Sequence, residues 1–217
     1  MTDFSLFYLP EPILNHIKQV VEKEREHSDD RIYATELAGN CLLKAFLNRR
    51  VGLKSERIQW AIYRGLIFDE LWTGLFPRNQ VRVTHRIPNG PTIVGRIDFI
   101  WDGKIYELKT VNSVRKIEEP LPHHVKQVKF YAWCENVDTA VIIYVSFDGI
   151  RCFDINCHDS YEIVKEFEQK AMVLYQALKT NTPPEPGEEV EEWECKYCDY
   201  YMSYCGGKKI GCLRRDW

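Results

Sequence analysis

The 217-residue sequence predicts a mixed α/β domain, in which a sheet of both parallel and antiparallel strands carries helices on both faces. Three observations support this. Stretches with helical apolar spacing alternate with β-prone apolar runs along the chain. Asp102-Gly103 and Asp148-Gly149 each sit between two such runs, and dipeptides of this kind favour tight hairpin turns and hence antiparallel pairs. The run Ala140 to Phe147 is almost continuously apolar, the pattern of a strand buried on both faces.

Taken in order, Pro12 to about His27 places Ile13, Leu14, Ile17, Val20 and Val21 at helical spacing. Ser28-Asp29-Asp30 ends that helix. Thr35 is the expected N-cap of a second helix, which runs to about Arg50 with Leu37, Cys41, Leu42, Ala45 and Phe46 on one side and is closed by Gly52. Ser55-Glu56 opens a third, reaching roughly Phe76, with Ile58, Ala61, Ile62, Leu66, Leu71 and Trp72 as its buried stripe. Asp69 and Glu70 interrupt that stripe; an aspartate there is a surface charge unless it has a partner. Val81 to Ile87 reads as a strand and Pro88-Asn89-Gly90-Pro91 as a turn. After the central hairpin comes a polar connection, Val111 to Leu121, with Arg115 and Lys116. The helix from Pro122 to about Glu135 follows, with Gln127 and Tyr131 on one face and Lys126 and Lys129 flanking them. Ile150 to Ile155 returns from the second hairpin turn, and Tyr161 to about Leu178 is a long amphipathic helix.

The central hairpin, Gly95 to Lys109, carries the chemistry. With its turn at Asp102-Gly103, paired residues have numbers summing to 205, so Asp98 faces Glu107 and Arg96 faces Lys109. Alternation puts Ile97, Phe99, Trp101, Tyr106 and Leu108 on an apolar face, and Arg96, Asp98, Glu107 and Lys109 on the other. Opposed Cβ atoms lie about 5 Å apart, so two carboxylates would be held together and would repel. Two readings fit: a salt-bridge ladder on a solvated face, or a site for Mg²⁺ or Mn²⁺, hard cations that prefer oxygen ligands, with Lys109 beside it.

Bulk properties narrow the class. A hydrophobic content of 45% and a charged content of 28% are those of a globular protein. No apolar run approaches a membrane span, and the N-terminus lacks a signal-peptide pattern, so a cytoplasmic protein with no membrane partner is expected. The net charge of -3 supplies no global basic field; a nucleic acid must be met by local patches.

Thr182 to Gly187 reads as a linker, and Glu185 to Glu194 holds six glutamates and no base, a segment expected to stay solvated. The 23-residue tail that follows carries Cys195, Cys198, Cys205 and Cys212, and is too short to bury a core of its own. Either all four hold a structural zinc ion, or three of them join the distant Cys41 around an iron–sulfur cluster. Cys134, Cys152 and Cys157 read as packing residues.

With these pieces in place, the sequence resembles the RecB-type PD-(D/E)xK nucleases, and more closely the CRISPR-associated Cas-four exonucleases. Gly65-Leu66-Ile67-Phe68-Asp69 matches the family's glycine-xxx-histidine element, with Asp69 in the histidine's place. Ile97-Asp98 matches the "PD" element without its proline, Glu107-Leu108-Lys109 the ExK element, and Gln127 to Tyr131 the QxxxY element. Cys41 with Cys195, Cys198 and Cys205 matches the one-plus-three iron–sulfur arrangement, although the Cys198–Cys205 gap is one residue longer and leaves Cys212 as a substitute.

The resemblance implies a restriction-endonuclease-like mixed sheet flanked by helices. An N-terminal helical region (1–80) would carry Cys41 and Asp69, followed by a nuclease core (81–180), an acidic linker (181–194) and a cluster-binding tail (195–217). It implies Asp69, Asp98, Glu107 and the Leu108 carbonyl as ligands of Mg²⁺ or Mn²⁺. Lys109, Gln127 and Tyr131 complete the catalytic set, with Tyr131 beside the strand as a base-stacking or phosphate contact and Lys126, Lys129, Arg115, Lys116 and Arg96 touching the DNA backbone. The implied cofactors include an iron–sulfur cluster, 4Fe–4S ahead of 2Fe–2S. The implied activity is metal-dependent exonuclease digestion of single-stranded DNA, with the CRISPR integrase complex as partner in spacer acquisition. The alternatives are a RecB-like repair exonuclease without a CRISPR role and an inactive nucleic-acid-binding scaffold.

Overall fold

The computed structural model describes residues 11–23, 28–52, 56–187 and 190–206. A six-stranded sheet is built on β3 (Thr92–Trp101). Along one side of β3 runs the antiparallel edge strand β2 (Asn79–Arg86). The other side is shared. β1 (Arg31–Tyr33) pairs in parallel with Thr92–Val94, and β4 (Lys104–Thr110) pairs antiparallel with Phe99–Trp101. β5 (Thr139–Ser146) continues in parallel from β4, and β6 (Gly149–Asn156) closes the far edge as a hairpin with β5.

One face of the sheet packs under α4 (Glu56–Thr73), which carries α1 (Glu11–Lys23) on its back. Phe68, Trp72 and Phe76 cover Phe99, Leu108, Val141, Ile143 and Val145 there, and Phe76 stacks on Phe99 with ring centroids 3.9 Å apart. The larger core lies on the opposite face, under α2 (Ala34–Ala38), α3 (Leu42–Arg50), α5 (Pro122–Glu135) and α6 (Tyr161–Thr180). The tail adds two short helices, α7 (Glu192–Lys196) and α8 (Tyr201–Tyr204).

Several expectations need correction. The second helix is two, broken at Gly39 and preceded by the unexpected β1. Tyr33, not Thr35, is its cap residue, its amide donating to Glu36 Oε2. The break persists because Lys170 Nζ donates to the Leu37 and Gly39 carbonyls and Glu194 accepts the Asn40 amide, offering these groups partners that a continuous helix would not. α4 stops at Thr73, before Gly74, and its packing residues are Phe68 and Trp72; Leu71 is 68% exposed. Among the described side chains of α1, Ile17 is buried and Ile13 half exposed; residues 24–27 and the Leu14, Val21 and Ile58 side chains lie outside the described residues. Cys152 is exposed, on the edge strand β6, so of the three cysteines read as packing residues only Cys134 and Cys157 are in contact with the core. The acidic segment is not fully solvated either: Val190 and Glu194 are buried.

Candidate active site

The Asp102-Gly103 turn forms as expected, with φ of +47° and +71°, both in the left-handed region that such turns use. The register also holds: Trp101 pairs with Lys104, Ile100 with Ile105 and Phe99 with Tyr106. The ladder then ends. Asp98 and Glu107 are not a ladder pair, because β3 turns toward β1 while β4 stays with β5. In the gap, the Leu108 amide donates to Asp98 Oδ2 at 2.6 Å. A strand residue's amide and carbonyl point to the same edge, so the Leu108 carbonyl also faces this gap.

The divergence reassigns the faces of β3. Gly95 lies against the Tyr131 ring of α5, and Ile97 joins the core on that side, while Arg96 turns to the α4 side and approaches Asp69 Oδ2 at 3.8 Å. The expected grouping of Ile97 with Phe99, and of Arg96 with Lys109, is therefore wrong. Asp98 stands at the point of change. Beside it Gln80 takes φ of +48°, and the Gln80–Asp98 pair is missing from the β2–β3 ladder.

Behind Asp98 lies a buried polar chain. Lys109 Nζ donates to Glu107 Oε1 (2.7 Å) and to Gln127 Oε1 (3.0 Å). Gln127 Nε2 donates to Glu107 Oε1 (2.7 Å) and to the Tyr131 hydroxyl (2.9 Å). The i, i+4 spacing on α5 puts Gln127 and Tyr131 on one face, and that face packs on β3 and β4. Both are buried, and Tyr131 offers no exposed ring for a base. In front, Asp69 accepts from Gln80 Nε2 at 3.1 and 3.0 Å and lines a cleft of about 380 Å³ with Glu70, Thr73, Gln80 and Arg96.

Burial pushes the Asp98 carboxyl well above the usual range, and the Glu107 charge pushes it further. Burial raises Glu107 as well, against the pull of Lys109. For Lys109, burial favours the neutral amine, but the Glu107 and Asp98 carboxylates outweigh it and its pKa rises, so the ammonium persists at neutral pH.

Among the described residues, no three histidine, cysteine, aspartate or glutamate side chains converge closely enough to enclose a metal ion. The donors nonetheless fit one. Glu107 Oε2 is buried with no hydrogen-bond partner, and two buried carboxylates are both driven toward protonation, a cost that a divalent cation relieves.

Cys41, Cys195, Cys198 and Cys205 line one pocket with Lys44, Val190, Glu194 and Tyr201, and none forms a disulfide. Four thiols lining one pocket are the donor type of a thiolate-held cluster, although no three of them converge closely enough to enclose a single metal ion. Cys212 lies outside the described residues. Of the expected backbone-contacting cations, Lys126 is tied to Glu166 (2.7 Å) and Lys129 to Asp159 (2.6 Å), away from the cleft. Arg115 and Lys116 sit on a 3₁₀ turn, Val114–Lys116, where Arg115 lies 3.8 Å from Asp148.

Sequence reasoning missed Gln80, whose left-handed backbone has no signature in its neighbours. It also missed His123 and His124, although His123 precedes Gln127 by one helical turn. His123 stacks on Trp193 with ring centroids 5.0 Å apart, and His124 Nδ1 lies 2.9 Å from the Tyr144 hydroxyl.

Sheet order and helix placement define a restriction-endonuclease-like core. The resemblance to the CRISPR-associated Cas-four exonucleases extends over most of the chain: it is 26% identical over 219 aligned positions to the CRISPR-associated exonuclease Cas4 of Saccharolobus solfataricus, covering 91% of this chain and 94% of that one. Among solved structures it is similar to SSO0001 (TM-score 0.66, 23% identity, 90% of this chain and 95% of that one). A weaker likeness is to the alkaline exonuclease LHK-Exo of Laribacter hongkongensis (TM-score 0.46, 18% identity, 70% and 93%). No family model matches the sequence. No helix among the described residues is long and apolar enough to cross a membrane.

Proposed function

We propose that this protein is a metal-dependent DNA exonuclease that digests single-stranded DNA and trims DNA ends during CRISPR spacer acquisition. One observation carries the nuclease reading: the buried chain Lys109–Glu107–Gln127–Tyr131 stands beside Asp98, with one Glu107 oxygen left without a partner. Similarity to a relative named as a CRISPR-associated exonuclease supports both the activity and the setting.

Asp69, Asp98, Glu107 and the Leu108 carbonyl would hold Mg²⁺ or Mn²⁺, which supplies Lewis-acid activation of the scissile phosphate and of the attacking water. Lys109, charged and aimed by two acceptors, stabilises the negative charge that grows on the phosphate in the transition state. Gln127 positions Lys109 through Oε1 and Glu107 through Nε2, and Tyr131 holds Gln127. Arg96, at the mouth of the cleft, meets the backbone of the incoming strand. In this reading Cys41, Cys195, Cys198 and Cys205 hold an iron–sulfur cluster that fastens the tail to the start of α3.

Lys109→Ala tests the proposal. Mn²⁺-dependent digestion of end-labelled single strands should be lost while DNA binding is kept. Full digestion by that variant would remove Lys109 from the mechanism.

A further inference from the structure

The two α5 lysines expected to contact DNA are engaged by α6-side carboxylates, so the phosphates beyond the cleft must be met elsewhere. The outer face of the β1–β3–β2 corner offers a place. In the β2–β3 ladder Arg82 pairs with Arg96 and Arg86 with Thr92; in the β1–β3 ladder Arg31 pairs with Thr92. Residues paired in this way project to one face. The alternate residues Ile32, Val83, Ile93 and Ile97 are core, so the arginines point outward, and all four are exposed. The other outward side chains of β2 and β3 here, Thr84, Thr92 and Val94, are uncharged.

Among the described residues, the guanidinium groups of Arg31, Arg82 and Arg86 make no ion pair or hydrogen bond, whereas Arg49, Arg50 and Arg78 are each held by a carboxylate. Directly opposed like charges such as Arg82 and Arg96 destabilise a sheet unless anions lie over them, and the Asp69 carboxylate, 3.8 Å from Arg96, lies beside one of the two. In a chain of net charge -3, four arginines on one small face form a local positive patch. The patch is continuous with the cleft, because Arg96 lines it with Asp69 and Gln80. From Asp98 to the level of Thr92 is six residues of extended chain, about 20 Å.

We propose that this face is a phosphate track, on which a single DNA strand running to or from the cleft lays its backbone over Arg82, Arg86 and Arg31. The proposal rests on the nuclease reading for the identity of the strand but not for the charge pattern. Arg82→Ala combined with Arg86→Ala tests it, with binding of a fluorescent poly-thymidine strand measured across a salt series without divalent metal. Affinity should fall roughly tenfold, and the dependence of log affinity on log salt should become shallower by about 1.4, at ~0.7 for each lost contact. Arg82→Lys with Arg86→Lys should restore most of the slope. Digestion of an oligonucleotide too short to pass Arg96 should be unchanged, while longer strands show a raised KM at constant kcat. An unchanged salt slope, or a parent protein that does not bind the strand, overturns the track. A parent that binds with the full slope but cuts nothing leaves the track standing and refutes the nuclease reading.

Discussion

Gly95→Ala puts the relation between β3 and α5 to the test. A Cβ at position 95 would lie 2.3 Å from Tyr131 Cε1, 3.0 Å from Cζ and 3.1 Å from the hydroxyl. Carbon atoms at rest are about 3.5–4.0 Å apart, so the ring must move by more than about 1 Å. It has no free volume to move into, since Tyr131 is only 2% exposed and its neighbours Val128 and Phe130 are fully buried. Overpacking of this kind costs about 1–3 kcal/mol. Replacing glycine inside a strand returns about 0.5–1 kcal/mol of chain entropy. The net destabilisation is then about 1–2 kcal/mol, which for a chain of this size lowers Tm by about 2–8 °C. The ring carries the hydroxyl bonded to Gln127, so Mn²⁺-dependent hydrolysis should fall as well, and more than the stability loss alone explains. Thermal melting and a hydrolysis assay read the two effects. Tyr131→Leu should relieve the clash, so the double variant should melt above the sum of the two single losses. If Gly95→Ala melts with the parent and digests DNA at the parental rate, the Tyr131 ring does not lie against Gly95.

Burial, reinforced by the Lys109 charge, lowers His123 to about 4 and carries His124 further down. Both are neutral in the fold and bind protons more readily when unfolded. The stability they contribute is therefore present above pH 6.5 and is lost as pH falls toward 4; a melting series should show this, and His123→Gln with His124→Gln should flatten it. Glu194→Ala strips the Asn40 amide of its acceptor next to Cys41, at a cost of about 1–3 kcal/mol. If the tail thiols hold the proposed cluster, it should also reduce bound iron and the thiolate absorbance at roughly 400 nm, whereas Glu194→Gln retains both; equal iron in the two variants would refute the clamp. Asp69→Ala should raise the Mn²⁺ concentration needed for half-maximal hydrolysis, and Asp69→His should move preference from Mg²⁺ toward Mn²⁺. Parental metal curves in both would take Asp69 out of the site.

What the sequence revealed was local. The Asp102-Gly103 turn fixes its register through positive φ at both residues, and that register holds as far as Phe99–Tyr106. The helix carrying Gln127 and Tyr131 begins and ends where its proline and periodicity put it. What was hidden depends on distant partners. β1 is three residues long, too short for alternation to register, yet it takes the Thr92–Val94 end of the β3 edge whose other end pairs with β4. Lys126 and Lys129 looked like free cations because Glu166 and Asp159 lie 40 and 30 residues further on. Glu194 read as one more solvated glutamate; its partner amide is 154 residues upstream.

The place of the site follows from how β3 divides its edge. A strand flanked along its whole length would spend every backbone group on its ladders and hold Asp98 directly against Glu107, where two carboxylates repel. Because β1 takes one end of that edge and β4 the other, the residues between them have no ladder partner on that edge. The Leu108 amide is then available to Asp98, and the carboxylates meet across a crevice instead of across a rung. The same stretch of β3 sets Arg96 toward Asp69 of α4 and Gly95 against Tyr131 of α5, so one irregularity lies between the α4 and α5 contributions. A substitution that let β4 pair with β3 through Asp98 would therefore set the two carboxylates against each other and close the crevice that β1 and β4 leave between them.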